Sequence, residues 1–391
     1  MKILIVNPCQ SKLPIPPDLI RADTYISIPL AYGLKNKNHT IEFITSKDSF
    51  LDGIKQEKIN LKALFNILKI DEFKFFPENI KIELTKLFYL EIFEKTRSLI
   101  KNKKYDIIHL HSNYFLLEMG IFNEITNIPI VITLHSVLSN QNCLKKLISN
   151  FNLKNKYFIS ISNKQRDFYP FDFFKTVYNG INLNLFPFYS NSEGKNIIFV
   201  GRTVKVKGIK EALEVSVKTN IPLKFTGKTD SEISFFNNEV LPLVNKHKNL
   251  IKYYKTINRN NISNFYSLGK ILLFPIQWEE PFGLVMIESM ATGTPIVAFA
   301  RGSVPEVIKD GETGFIVNPS DDDIRGDWII KKTGIEGLCE AVERIYSMPE
   351  EQYRKMRKAC REHVEKNFTV ERMVDEYEKV YYEILNKKNN H

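Results

Sequence analysis

The stretch QWEEPFGLVMIESMATGTPIVAFARGSVPEVI, residues 277–308, decides the fold. It follows an apolar run, KILLFPI (270–276), short enough to be a strand. LVMIESMATG (284–293) reads as a helix, and PIVAFA (295–300) as a second strand. Strand, helix and strand in this order form a βαβ unit, which requires a parallel sheet. The turn QWEEPFG is then a strand-to-helix loop at the sheet edge where ligands gather in doubly wound folds. Pro281 fits near a helix start, and Gly283 admits a ligand close to the backbone. The amides of Gly283, Leu284 and Val285 would face an anion at the positive end of the helix dipole, as a phosphate or diphosphate requires. Glu280 sits in the loop and Glu288 about two turns along, a rise on the order of 10 Å. Two carboxylates suit hydroxyl groups on either side of such an anion, because each accepts several hydrogen bonds. Read alone, the pair is better taken as an acidic residue stabilising the helix start, with Glu288 on a solvated face.

The same pattern recurs along the chain. KILIVN, TIEFITS, DIIHLHS, PIVITLH, YFISIS and TVYNG in the first half are strand candidates. So are NIIFVGR, LKFTGK, IKYYKT, KILLFPI, PIVAFA and GFIVNP in the second. Continuous apolar strands belong to sheets covered on both faces. The expected fold class is therefore α/β, with two doubly wound Rossmann-like domains. Turn-forming residues cluster in NLFPFYSNSEGKN, 184–196, so the domains are set at 1–189 and 190–368, with a terminal helix at 369–391. Residues 54–104 are Lys-rich and mostly helical by pattern. NCLKKLISNF (142–151) aligns Leu144, Leu147, Ile148 and Phe151 beside Lys145 and Lys146, a pattern shared by membrane-surface helices and by helices packed on a sheet. The tail from 337 to 387 reads as three helices, with Pro349 and Thr369 at the starts of the last two.

At 391 residues the chain exceeds one ordinary core, and its 43% apolar and 26% charged content is that of a globular protein. No apolar run approaches the roughly 18 residues of a membrane span, and MKILIVNPCQ is too short for a signal peptide. Four scattered cysteines without a C-x-x-C fit a reducing cytoplasm, and seven histidines show no metal-binding spacing. The charge of +10 is uneven: residues 1–190 hold 25 basic against 17 acidic side chains, and the rest 30 against 28. That excess is an ordinary solvated surface, or it faces an anionic acceptor or acidic membrane. No basic-aromatic stripe points to nucleic acid. The run Asp321-Asp322-Asp323 reads as a solvated turn after a strand rather than a metal motif.

A second loop supports the first. FVGRTVKVKGIKEALE (199–214) places Arg202 and Lys207 in a strand–loop–helix transition, where two cations can clamp a diphosphate. With this loop in view, the sequence resembles the retaining glycosyltransferases of family 4, which have the GT-B fold. The resemblance rests on GRTVKVKG, FPIQWEEPFGLVMIESMATGTPIVAF with its E-x₇-E spacing, and GSVPEVIKDGETGFIV, in order. VYNGINLNLF, VITLHS and the closing FTVERMVDEYEKVYYEIL are similar to further family segments. It is specific over residues 176–385 and thinner before them.

The resemblance implies two domains facing a cleft and closing on the donor, with the last helix crossing back to the first domain. It implies that Arg202 and Lys207 bind the donor diphosphate and that Glu280 contacts the donor sugar. Phe282, Gly283 and Leu284 would offer amides, Glu288 would hold the ribose, and His135 would reach the sugar from the first domain. Gly227, Lys228 and Ile257 would line the base pocket. Catalysis would then rest on Glu280, His135, Arg202 and Lys207. One departure is NPCQSKLPIPPDLIRADTY (7–25), where Arg21-Ala22 stand in place of a Gly-Gly pair. Arg21 is expected to recruit the diphosphate or an anionic acceptor, or else to pair with Asp18 or Asp23. Asn182 stands where the family often has Asp, and DDDIRGDWIIKKTG (321–334) looks like an insertion.

The implied reaction transfers a sugar from a nucleotide diphosphate to an acceptor hydroxyl with retained configuration. It uses no metal, cofactor or covalent nucleophile. The expected partners are a nucleotide sugar and a saccharide, lipid-linked or other hydroxyl acceptor, with no nucleic acid. The expected setting is cell-envelope glycan or glycolipid synthesis. The chain is expected in the cytoplasm, with peripheral membrane contact open to its basic first half. Two rivals share the fold: a nucleotide-sugar 2-epimerase, whose acid/base set is not evident, and a non-catalytic nucleotide-sugar binder.

Overall fold

The computed structural model describes residues 1–16, 21–68, 76–112, 127–137, 148, 153–190, 194–229 and 232–389. The chain forms two compact units, Met1–Gly180 with Val370–His391, and Ile181–Thr369.

The first unit is built on seven strands: β1 (Lys2–Val6), β2 (Thr40–Thr45), β3 (Lys55–Lys58), β4 (Ile107–Ser112), β5 (Ile130–Leu134), β6 (Lys156–Ser160) and β7 (Lys175–Thr176). Their order is β3-β2-β1-β4-β5-β6-β7, and all pairs are parallel. Ile3 stands between Ile41 and Ile107 in register. Leu4, Val6, Ile108, Leu110, Ile132 and Phe158 form one core with Phe88 and Ile92 of the helix Glu78–Asn102. β3, KQEK, is a strand where the sequence pattern suggested helix. It lies at the sheet edge, and its residues are exposed or half-buried. An edge strand needs only one hydrogen-bonded neighbour and no apolar face, so it leaves no apolar alternation to read. NCLKKLISNF lies outside the described residues except for Ile148, which is buried.

The second unit has six strands: β8 (Asn196–Val200), β9 (Leu223–Thr226), β10 (Ile251–Tyr253), β11 (Gly269–Phe274), β12 (Ile296–Phe299) and β13 (Gly314–Val317). Their order is β10-β9-β8-β11-β12-β13, again all parallel. Phe199, Phe225, Leu273, Val297 and Phe315 pack with Leu213 of the helix Ile209–Thr219 and with Leu338, Val342 and Ile345 of the helix Gly334–Tyr346. The spacing of that last trio is the buried stripe of an amphipathic helix. The helices Glu350–Asn367 and Val370–Asn389 follow, entered at Pro349 and after Thr369.

The residues before β8 fold with this second unit, so a boundary at 189/190 falls inside it. Arg361 Nη1 donates to the Phe186 carbonyl at 2.8 Å, and Tyr189 OH donates to Asn264 Oδ1 at 2.7 Å. The aromatic residues of NLFPFY thus belong to a packed surface, although they sit among turn-forming neighbours.

Both sheets reverse strand order between their first and fourth strands along the chain. In the second unit the reversal lies between β8 and β11, so the loops leaving these adjacent strands emerge together at their carboxyl ends. Those loops are 201–208 and 275–283.

Candidate active site

The helix Leu284–Ala291 begins on Gly283, whose φ of 75° is left-handed, and no side chain caps it. A side chain on Gly283 would be strained in that conformation. The first-turn amides are therefore left to whatever the loop brings to them. From the neighbouring strand, the loop after β8 ends in a short 3₁₀ turn, Lys205–Lys207, that delivers Lys207 to this place.

Lys207 Nζ forms an ion pair with Glu280 Oε2. Trp278 Nε1 donates to the same oxygen at 2.9 Å, and Lys207 Nζ lies 4.8 Å from the centre of the Trp278 ring. The ammonium is thus held by a carboxylate and an aromatic face together. Glu280 is 9% exposed. Among the described residues, its Oε1 accepts no hydrogen bond. The Glu280 main chain is fixed from the other side: Ser303 N donates to its carbonyl at 2.9 Å, and Ser303 Oγ donates to the Phe282 carbonyl at 2.8 Å. A Cβ at Gly302 would collide with the Glu280 backbone, so only glycine permits this approach. Phe282 is buried and meets Phe368 edge-on at 5.9 Å.

Glu288 is buried one face further along the helix. Arg259 Nη1 lies 2.8 Å from its Oε1, and Tyr266 OH donates to its Oε2 at 2.9 Å. Burial first, and then the Glu288 charge, push the Tyr266 hydroxyl well above its ordinary range, so it stays a donor. Gly227, Lys228 and Ile257 come together with the β8 loop. Thr203 N donates to the Lys228 carbonyl at 2.7 Å, Ile257 N to Thr226 Oγ1 at 3.3 Å, and Tyr253 OH to the Gly227 carbonyl at 2.8 Å. The Arg202 side chain is exposed, and among the described residues it makes no ion pair.

In the first unit, His135 follows β5 and its Nε2 is 3.0 Å from His111 Nδ1. His109 bridges Tyr381 OH at 2.7 Å and Thr133 Oγ1 at 2.8 Å. Burial holds all three imidazoles neutral, lowering His135 to about 4 and His109 to about 3, with His111 well below its usual value. Arg21 forks onto the buried Asp23, with Nη2 to Oδ2 at 2.9 Å, and donates from Nη1 to Gln10 Oε1 at 3.0 Å. Burial alone would raise the Asp23 carboxyl, but the Arg21 charge and the hydrogen bonds from Arg21 and the Thr24 amide bring it below the usual range. Asp18, the other expected partner, lies outside the described residues.

Two family models run nearly the length of this chain. Glycosyltransferase Family 4 matches residues 29–185, and Glycosyl transferases group 1 matches residues 184–363. The chain belongs to glycosyltransferase family 4. It is 24% identical to the N-acetyl-alpha-D-glucosaminyl L-malate synthase of Bacillus anthracis over 395 aligned residues, covering 93% of this chain and 94% of that one. Its fold is that of sucrose-phosphate synthase from Thermosynechococcus elongatus, with a TM-score of 0.72 at 19% identity, covering 99% of both chains. It is also that of the Anabaena protein HepE solved with UDP-glucose, with a TM-score of 0.65 at 17% identity, covering 98% of this chain and 100% of that one. Its two parallel-sheet units are accordingly the GT-B architecture of the family 4 enzymes.

Sequence reading missed four residues around the two carboxylates, Glu280 and Glu288. Trp278 adjoins Glu280 in sequence, but nothing in its spacing shows that it reaches the same oxygen as Lys207. Arg259 and Tyr266 lie on other elements than Glu288, and Glu279 turns away from Glu280. Asp323, expected in a solvated turn, pairs with Arg301 and Arg325.

Proposed function

We propose that this family 4 glycosyltransferase moves a hexosyl group from a nucleotide-diphosphate sugar to an acceptor hydroxyl with retention of configuration and without a metal ion. The observation that carries this reading is the convergence of Lys207 and Glu280 at the uncapped N-terminus of the helix Leu284–Ala291. A cation and a set of helix amides at one point are matched to the charge that develops on a departing diphosphate. Glu280 keeps Oε1 for a donor-sugar hydroxyl, while its Oε2 is taken by Lys207 and Trp278. Glu288 can still accept from ribose hydroxyls, because a carboxylate has about four acceptor sites and Arg259 and Tyr266 take one on each oxygen.

In this reading, Arg202 swings from solvent to join Lys207 on the diphosphate. Gly227, Lys228 and Ile257 line the base pocket. His135 keeps the sugar contact that the family resemblance implies, and Arg21 serves an anionic group. The departing phosphate itself takes the acceptor proton, so no protein base is needed at that atom. The acceptor is a saccharide or lipid-linked hydroxyl of the cell envelope, at the cytoplasmic face of the membrane. The excess of basic side chains in residues 1–190, 25 against 17, suits such an anionic surface. Among the described residues, no helix is long and apolar enough to cross a membrane.

The test is product analysis with UDP-, GDP- and ADP-glucose, each with and without a cell-envelope extract as acceptor. Nucleotide release that needs the extract, and that persists in EDTA, is the expected result. Activity that vanishes in EDTA and returns with Mg²⁺ overturns metal independence. A new nucleotide sugar without acceptor overturns transfer in favour of epimerisation.

A further inference from the structure

The two adjacent carboxylates of QWEEPFG face opposite partners. Glu280 meets Lys207 and Trp278, whereas Glu279 enters a separate ionic cluster. Glu279 Oε2 accepts from Gly302 N at 2.7 Å, and its Oε1 lies 2.6 Å from Arg325 Nη1 and 3.6 Å from Arg301 Nη1. Both arginines also hold Asp323: Arg301 Nη2 at 3.0 Å from Oδ2, and Arg325 Nε at 2.7 Å from Oδ1. Two anions and two cations close a ring whose side chains are between 19% and 32% exposed. The ring is thus shielded more than an isolated surface pair, and its members have more than one partner each.

Arg325 is itself fixed. It lies in the 321–334 segment, which resembled an insertion in sequence. The buried Asn318 at the end of β13 pins this segment: its Oδ1 accepts from Arg325 N at 2.8 Å and Trp328 Nε1 at 3.2 Å, and its Nδ2 donates to the Gly326 carbonyl at 2.9 Å. A rigid strand end therefore holds a guanidinium whose planar fork joins Asp323 to Glu279. The loop reaches Glu280 one residue later.

We propose that Arg325 is a positioning residue that acts through Glu279 to hold the 277–283 loop, so that Glu280 presents its free oxygen while Trp278 and Lys207 occupy the other. This rests on the reading of Glu280 as the donor-sugar contact. The inserted segment is then part of the catalytic framework rather than surface elaboration. Arg301 shares the cluster but contacts Glu279 less closely, and it is secondary. A preorganised group needs its supports in place before substrate arrives, and a displacement of about 1 Å can cost about a hundred-fold in rate.

The experiment is a double-mutant cycle of Arg325→Ala and Glu279→Gln, with Arg325→Lys as the conservative variant and Glu280→Gln as the reference. Transfer from the nucleotide glucose that the wild type accepts is measured in each. In parallel, donor-free protein carrying 5-fluorotryptophan is examined by ¹⁹F NMR, with the two tryptophan signals assigned through Trp278→Phe. Arg325→Ala should lower kcat by about ten- to a hundred-fold and shift the Trp278 signal before any ligand is added. Arg325→Lys should lie between it and wild type. In the Glu279→Gln background, Arg325→Ala should add little, because partners in one network are not additive. If Arg325→Ala does not fold, the lysine variant and Glu279→Gln carry the same comparison. An unmoved Trp278 signal, or losses that simply multiply, overturns the proposal. Full activity in Glu280→Gln instead overturns the underlying reading of the loop, whatever Arg325 does.

Discussion

Trp278 shows what a residue's neighbours in space add to its place in sequence. Its indole N–H and its ring face stabilise two oppositely charged groups that belong together, Glu280 and Lys207. Phenylalanine at 278 keeps the face and loses the donor, and leucine loses both. A hydrogen bond to a charged acceptor contributes roughly 1.5–3 kcal/mol. Trp278→Phe should therefore lower kcat/KM by about ten-fold or more, and Trp278→Leu further. Steady-state kinetics on folded variants check this, and equal rates for the two would remove the ring face from the account. The E-x₇-E spacing was legible because loop and helix are local: one element places both carboxylates. Their partners were not, since Lys207 and Arg259 arrive on other strands' loops, and no spacing rule links residues 207 and 280. Glu279 and Glu280 read as equals in sequence. Only the backbone direction between β11 and the helix separates them.

At the level of elements, strand sequence determined the sheets and tertiary burial determined the rest. Continuous runs such as NIIFV and GFIV have one stable use, a covered parallel strand. KQEK has no such pattern and became a strand only because β2 offered an edge. β4 raises a different matter. His109 and His111 alternate along it and so share a sheet face. His109 packs against Tyr377 and Tyr381, which share a helix face, and His111 stacks on His135 beyond β5. All three imidazoles are held neutral, with His135 lowered to about 4 and His109 to about 3. An unfolded histidine titrates near 6.5, so in acid the unfolded chain takes up protons that the native first unit refuses. Stability is then fully present above pH 6.5 and falls as pH drops below it, by up to about 1.4 kcal/mol per pH unit for each histidine. The loss levels off for His135 near pH 4 and continues toward pH 3 for His109. Urea denaturation between pH 7 and 5 should show this slope, and His109→Gln should flatten it. A midpoint independent of pH in that window would contradict the burial of the three rings.

The whole chain leaves its first unit at Gly180 and re-enters it at Val370. The returning helix is bound by charge and by polar contacts deep in the sheet. Lys37 lies 2.8 Å from both Asp375 and Glu378, His39 Nε2 is 2.8 Å from Glu378 Oε1, and Thr133 Oγ1 is 2.9 Å from Tyr377 OH. Val374, Tyr377, Tyr381 and Ile384 are buried. Family resemblance indicated a closing helix, but its contacts with β4 and β5 had no local signature, because they join residues more than two hundred positions apart. Truncation after Thr369 should expose apolar surface on the first unit and leave its histidines without their tyrosines. Loss of soluble, cooperatively unfolding protein is expected, and an unchanged melting transition would show the helix to be dispensable. The central claim is that Glu280, set by Lys207 and Trp278 at a helix N-terminus, makes the contact that drives sugar transfer. The measurement that tests it most directly is turnover of Glu280→Ala with its accepted nucleotide sugar, beside a melting curve. The account predicts a fall in kcat of roughly 10²–10³, the size of one preorganised transition-state contact, with the fold intact. Wild-type turnover in that variant would contradict it.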